Sequence, residues 1–123
     1  MMKILLVEDE GLVALHLKKL LNEHGFADIL VARNGEEAVE KAGEALPDLL
    51  LMDIRLGKGM NGIEAVKRIN SARKVPVIYI TASTDDLTHK EALNTNPLAI
   101  LSKPIEPDEL KTMIDNHFDR IKN

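Results

Sequence analysis

The sequence predicts an α/β protein: a doubly wound parallel sheet made of five β-α units. Three observations carry that expectation. Short apolar runs alternate strictly with longer amphipathic stretches along the whole chain. The runs are continuous rather than alternating, as in Leu49-Leu50-Leu51-Met52 between Pro47 and Gly57, which suits strands buried on both faces of a parallel sheet. Finally, 123 residues with 45% hydrophobic and 29% charged content describe one ordinary globular domain with a real core. Parallel neighbours need helical crossovers, and such crossovers are right-handed.

Each element has its own justification. Lys3 to Val7 is the first strand, stopping at Glu8-Asp9-Glu10. Gly11 to Glu23 is a helix with Val13, Leu17, Leu20 and Leu21 on its core stripe. Leu12 and Leu15 widen the apolar surface beyond that one stripe, and Gly25 is expected to stop the helix. Ile29 to Ala32 is the second strand. Asn34 caps the next helix, with Glu37 at capping-box spacing and an inner face of Ala38, Ala42 and Ala45 beside Val39. The third strand, Leu49 to Met52, ends at Asp53. A loop with Gly57, Gly59 and Gly62 follows, in which Met60 is expected to be exposed, and then a helix with Ile63, Val66 and Ile69 inward. Val77 to Ile80 is the fourth strand, stopping at Thr81-Ala82-Ser83-Thr84, with Tyr79 in the core and its hydroxyl in need of a partner. Asp85 to Leu93 is the weakest helix, offering only Leu87, Ala92 and Leu93 to a core. Leu98 to Leu101 is the fifth strand, closed by Ser102-Lys103-Pro104. The last helix opens at Pro107 with Asp108 and Glu109 matching its dipole, and carries a stripe of Leu110, Met113, Ile114, Phe118 and Ile121.

Composition narrows the function classes. A net charge of −4 with scattered Lys and Arg gives no basic stripe for nucleic acid and no polybasic patch for a membrane surface. Zero Cys excludes disulfides, thiolate metal sites and Cys nucleophiles. The N-terminal apolar run, Ile4 to Val7, is too short for a signal peptide or a membrane span, so a cytoplasmic address is expected. His16, His24, His89 and His117 fall on helices too far apart for a metal pair and are expected at the surface.

The chemistry collects at the carboxyl ends of the strands, where open α/β sheets bind ligands. The first strand supplies Glu8 and Asp9, the third Asp53, the fourth Thr81 and the fifth Lys103. Clustered carboxylates repel, and a hard divalent cation relieves this; oxygen-only donors favour Mg²⁺. A lysine and a hydroxyl on the same rim suit an anion such as a phosphoryl group, toward which Asp is a competent nucleophile. Singly, each residue also has an ordinary reading. The acid triplet suits a solvated helix start, Asp53 a loop, Thr81 a strand-end hydroxyl and Lys103 a surface lysine. Their coincidence on four strand ends of one small domain is the specific signal.

That constellation resembles the response regulator receiver domain of two-component signalling over nearly the whole chain. The matching pieces are Ile4-Leu5-Leu6-Val7-Glu8-Asp9-Glu10, Pro47-Asp48-Leu49-Leu50-Leu51-Met52-Asp53, Met60-Asn61-Gly62-Ile63-Glu64, Val75-Pro76-Val77-Ile78 with Thr81-Ala82, and Lys103-Pro104. The resemblance implies a flavodoxin-like fold with strand order 2-1-3-4-5, and one receiver domain over residues 1–123. It implies Asp53 as phosphoacceptor, charged by a histidine kinase or phosphotransfer protein. Mg²⁺ would be held by Asp9 directly, Glu8 through water, Asp53 and the Arg55 carbonyl. Thr81 and Lys103 would contact the phosphoryl group, and the Lys103–Pro104 bond would be cis. The output would be a downstream effector protein or a fused output domain, and the only catalysis the domain's own phosphorylation and dephosphorylation. Two features depart from the family pattern: Ile100 stands where a Tyr or Phe is usual, and Leu56-Gly57-Lys58-Gly59-Met60 is a longer, proline-free loop.

Two other functions compete. A phosphohydrolase resembling the haloacid dehalogenase family would carry a second Asp where Arg55 stands, and a cap for substrate. A receiver-like interaction module working without phosphorylation would be expected to have lost one of the acids or Lys103, and none is lost. Nucleotide binding is disfavoured, because Glu8-Asp9-Glu10-Gly11 replaces a glycine-rich phosphate loop after the first strand.

Overall fold

The computed structural model describes residues 2–57, 59–82 and 85–122, with side chains described through residue 118. Five strands, β1 (Lys3–Val7), β2 (Asp28–Ala32), β3 (Leu49–Asp53), β4 (Val77–Thr81) and β5 (Ala99–Ser102), alternate with five helices. The helices are α1 (Gly11–Glu23), α2 (Gly35–Ala45), α3 (Gly62–Ala72), α4 (Asp86–Leu93) and α5 (Pro107–Lys122). All strand pairs are parallel, in the order β2-β1-β3-β4-β5. The flavodoxin-like order is therefore as expected, and it places a topological switch point between β1 and β3.

The two faces of the sheet bury separate cores. Leu5, Val7, Leu50, Met52, Val77 and Tyr79 pack with α2, α3 and Ala92 of α4. Ile4, Leu6, Leu49, Leu51, Ile78 and Ile80 pack with Leu17 and Leu21 of α1 and Leu110 and Ile114 of α5. Every residue of β3 is buried, and each fully buried Leu or Met contributes about 1.5–3 kcal/mol over an exposed one. That burial holds Asp53 at the rim.

Boundaries shift slightly from expectation. β2 begins at Asp28, β4 extends through Thr81, and β5 runs one residue later than expected, because Thr81 pairs with Ser102 in the ladder. Asn34 caps α2 by accepting from the Glu37 amide at 2.7 Å, while the Glu37 carboxylate pairs with Lys41 one turn on. Beyond α1, His24 is the cap residue rather than a helical one, and Gly25 takes a φ of 96°.

Several side chains do not sit where periodicity placed them. Leu12 and Leu15 are 84% and 66% exposed, because the α1 face that meets the sheet is Ala14, Leu17 and Leu21. Leu87 and Leu93 are also exposed, leaving Ala92 as the one buried residue of α4. Met60 is buried, with its Cβ and carbonyl packed where a side chain on Gly35 would stand. His117 is half-buried, its ring edge-on to Phe118 at 5.0 Å between centroids. Ile121 lies outside the described side chains, and Lys58, Ser83 and Thr84 lie outside the described residues.

Candidate functional site

The site is assembled by the sheet. β1 and β3 are neighbours, so Glu8 and Asp53 leave adjacent strands at their carboxyl ends. The Lys103 amide donates to the Thr81 carbonyl at 2.9 Å, which brings the fifth strand's lysine to the same rim. The Lys103–Pro104 peptide is cis, as expected.

Lys103 links the two buried acids. Its Nζ lies 2.6 Å from Glu8 Oε1 and 3.1 Å from Asp53 Oδ2. Glu8 and Asp53 are only 1% and 7% exposed, and buried carboxylates need such partners. Burial acts to lower the Lys103 pKa, but the hydrogen bonds and charges of Glu8 and Asp53 outweigh it and hold the ammonium above the ordinary lysine value. The other oxygen of Asp53 accepts from the Arg55 amide at 3.1 Å. Glu8 Oε2 accepts from the Glu10 amide at 3.2 Å. Thr81 is 2% exposed at the end of β4.

The donor set suits a hard divalent cation. Glu8, Asp9 and Glu10 each offer a carboxylate oxygen, all within 4.8 Å of one another. Asp9 Oδ2 faces Gly57, where a Cβ would stand 3.3 Å away, so the loop after Asp53 closes on the Asp9 carboxylate. Glu10 joins Glu8 and Asp9 in the tight acid cluster, while the Lys103 ammonium lies between Glu8 and Asp53. Arg55 meets the site through its backbone, and its residue surface is exposed.

Near the site, Glu36 and Arg33 escaped the sequence reading, and Gly62 was expected only as a loop glycine. Gly62 is obligatory by space: a Cβ there would lie 2.1 Å from the Asp53 carbonyl oxygen, because α3 begins directly against the end of β3. Its amide donates to the Ile54 carbonyl at 2.8 Å. The Asn61-Gly62 pair at the helix start was the available signal, since Asn61 caps α3 through the Glu64 amide at 2.9 Å. Glu36 accepts from the Met60 amide at 3.2 Å, tying the glycine loop to α2. Arg33 donates to the Asp9 carbonyl. Neither contact has a signature in spacing.

Residues 4–115 match the family model of the response regulator receiver domain. The chain belongs to that family. It is 37% identical over 119 residues to the transcriptional regulatory protein CrdR of Helicobacter pylori, covering 95% of this chain and 55% of CrdR. This receiver domain spans about half the length of the curated relatives it matches. The signal receiver domain of a modulated diguanylate cyclase from Desulfovibrio desulfuricans G20 superposes with a TM-score of 0.88 at 35% identity, over 98% of both chains. A chain of the CheX–CheY–BeF3–Mg complex from Borrelia burgdorferi superposes with a TM-score of 0.85 at 26% identity, over 95% of this chain and 89% of that one. Among the described residues, no helix is long and apolar enough to cross a membrane.

Proposed function

We propose that this receiver domain is a phosphorylation-activated switch in which Asp53 accepts a phosphoryl group from a phosphohistidine of a histidine kinase or phosphotransfer protein. The observation that carries the reading is the Asp53 carboxylate, set at the rim with one oxygen on Lys103 Nζ and the other on the Arg55 amide. A carboxylate oxygen of Asp53 attacks phosphorus. The new P–O bond forms as the P–N bond to the donor imidazole breaks, and the departing ring nitrogen takes the electron pair and then a proton. Glu8, Asp9, Asp53 and the Arg55 carbonyl would hold Mg²⁺, which when bound offsets charge on the phosphoryl oxygens. Lys103 moves from the carboxylates toward the phosphoryl group, and the Thr81 hydroxyl donates to it. The altered surface then engages an effector protein or a fused output domain.

Mass spectrometry after treatment with acetyl phosphate and Mg²⁺ tests this directly. Wild type should gain one labile phosphoryl mass, and Asp53→Asn should gain none, because the amide has nearly the same shape and is a poor nucleophile. A phosphoryl group retained on the Asn variant would remove Asp53 from its role, and a wild type that gains none would favour an interaction module that works without this chemistry.

A further inference from the structure

The Asp9–Glu10 peptide is gripped at both ends of its dipole. Its carbonyl oxygen accepts from Arg33 Nη2 at 2.8 Å and from Arg33 Nε at 3.3 Å. Its N–H donates to Glu8 Oε2. The remaining Glu8 oxygen takes the Lys103 ammonium. One continuous polar chain thus runs from Arg33 through this peptide to Glu8, then to Lys103 and Asp53.

Arg33 reaches this peptide for a structural reason. It directly follows Ala32, the last residue of β2, which pairs with Val7 of β1 and whose carbonyl accepts from the Glu8 amide at 3.0 Å. The end of β2 therefore holds the backbone on both sides of the first metal-site acids. The guanidinium packs over Gly11, where a Cβ would stand 3.3 Å from both Nη atoms and 3.5 Å from Cζ. Gly11 opens a helix, so its missing side chain serves here to make room for the arginine. A guanidinium presents its donors as a rigid fork, so two bonds to one carbonyl oxygen fix the peptide's orientation better than a single flexible donor would.

We infer that Arg33 is a positioning residue of the acidic site: by orienting the Asp9–Glu10 peptide it sets the Glu8 and Asp9 carboxylates for a divalent cation. The inference rests on the Mg²⁺ reading proposed above. Charge and positioning act with opposite signs here, and that makes the role testable. As a nearby positive charge, Arg33 disfavours a cation, so its removal alone would tighten Mg²⁺ binding. As a positioning group it favours the cation, and loss of outer-shell partners of this kind weakens metal affinity by about 10–100-fold.

The test compares wild type, Arg33→Ala, Arg33→Lys and Asp9→Asn by calorimetric Mg²⁺ titration, together with metal-free amide hydrogen exchange at Glu10. Arg33→Ala should weaken Mg²⁺ about tenfold or more and speed exchange of the Glu10 amide, while Arg33→Lys, which keeps the charge and one donor, recovers part of both. Unchanged or tighter Mg²⁺ binding by Arg33→Ala overturns the inference and makes Arg33 a surface charge. Weaker binding with an unchanged Glu10 amide overturns it too, because the effect would not pass through the peptide. Failure of the parent reading looks different: wild type would bind no Mg²⁺, or Asp9→Asn would bind it as well as wild type.

Discussion

Lys103 stands between two buried acids that leave adjacent strands, and supplies a counter-charge to both. Replacing it by Ala takes one hydrogen-bond partner from Glu8, which is almost wholly buried. A buried acceptor that loses a partner costs about 1–3 kcal/mol, so Lys103→Ala should melt measurably below wild type without Mg²⁺. Added Mg²⁺ should narrow the gap, since the cation offsets the same repulsion. The pH dependence follows from the sign of the shift. A lysine raised above its ordinary value contributes stability that is complete below that value and is lost as pH rises through the folded pKa. The difference between wild type and Lys103→Ala should therefore be flat through neutrality and shrink in strong alkali. Denaturant melts across pH would decide it, and a gap that closes near pH 7 would contradict the pairing.

At the scale of the element, α4 is held by its ends rather than by its face. Asp85 caps it by accepting from the Thr88 amide at 2.7 Å, and that bond holds the Asp85 carboxyl below its ordinary value. At the other end, Thr95 Oγ1 donates to the Ala92 carbonyl at 2.7 Å and lies 2.7 Å from the Tyr79 hydroxyl. Tyr79 is fully buried, which pushes its phenol pKa up and keeps it a neutral donor. In the ladder it stands opposite Ile100. A segment with one buried side chain has low local stability, as elements that move tend to have. Tyr79→Phe removes one hydroxyl and should cost about 0.5–1.5 kcal/mol, with hydrogen exchange quickening across 86–95 more than in β1 or β3. If α4 exchanged as in wild type, the Tyr79–Thr95 bond would carry none of its anchoring.

At the scale of the molecule, the acids and the lysine come from the carboxyl ends of β1, β3 and β5, so the site exists only in the folded sheet. A cation bound there has little affinity for the unfolded chain and stabilises the fold by mass action. At ten times its dissociation constant Mg²⁺ should add about 1.4 kcal/mol. Thermal melts should shift upward with Mg²⁺ in wild type and not in Asp9→Ala; equal shifts in both would place the cation elsewhere.

Much of this was legible in the chain itself. The period of the apolar runs determined the β-α alternation. The acids, hydroxyl and lysine that end those runs determined the residues of the rim, because parallel strands leave the core in one direction. Asn34, with Glu37 three residues on, announced its helix by local chemistry alone. Other features needed three dimensions. Helical periodicity marks an apolar surface but not how much of it a sheet will cover, and Leu12, Leu15, Leu87 and Leu93 face out. A glycine count cannot say which glycine is pressed against a backbone, yet Gly62 meets the Asp53 carbonyl and Gly35 meets Met60. Arg33 looked like one of many scattered basic residues until β2 was laid beside β1. Strand order and side-chain reach decided these contacts, because they join residues far apart in sequence through geometry that no local pattern records.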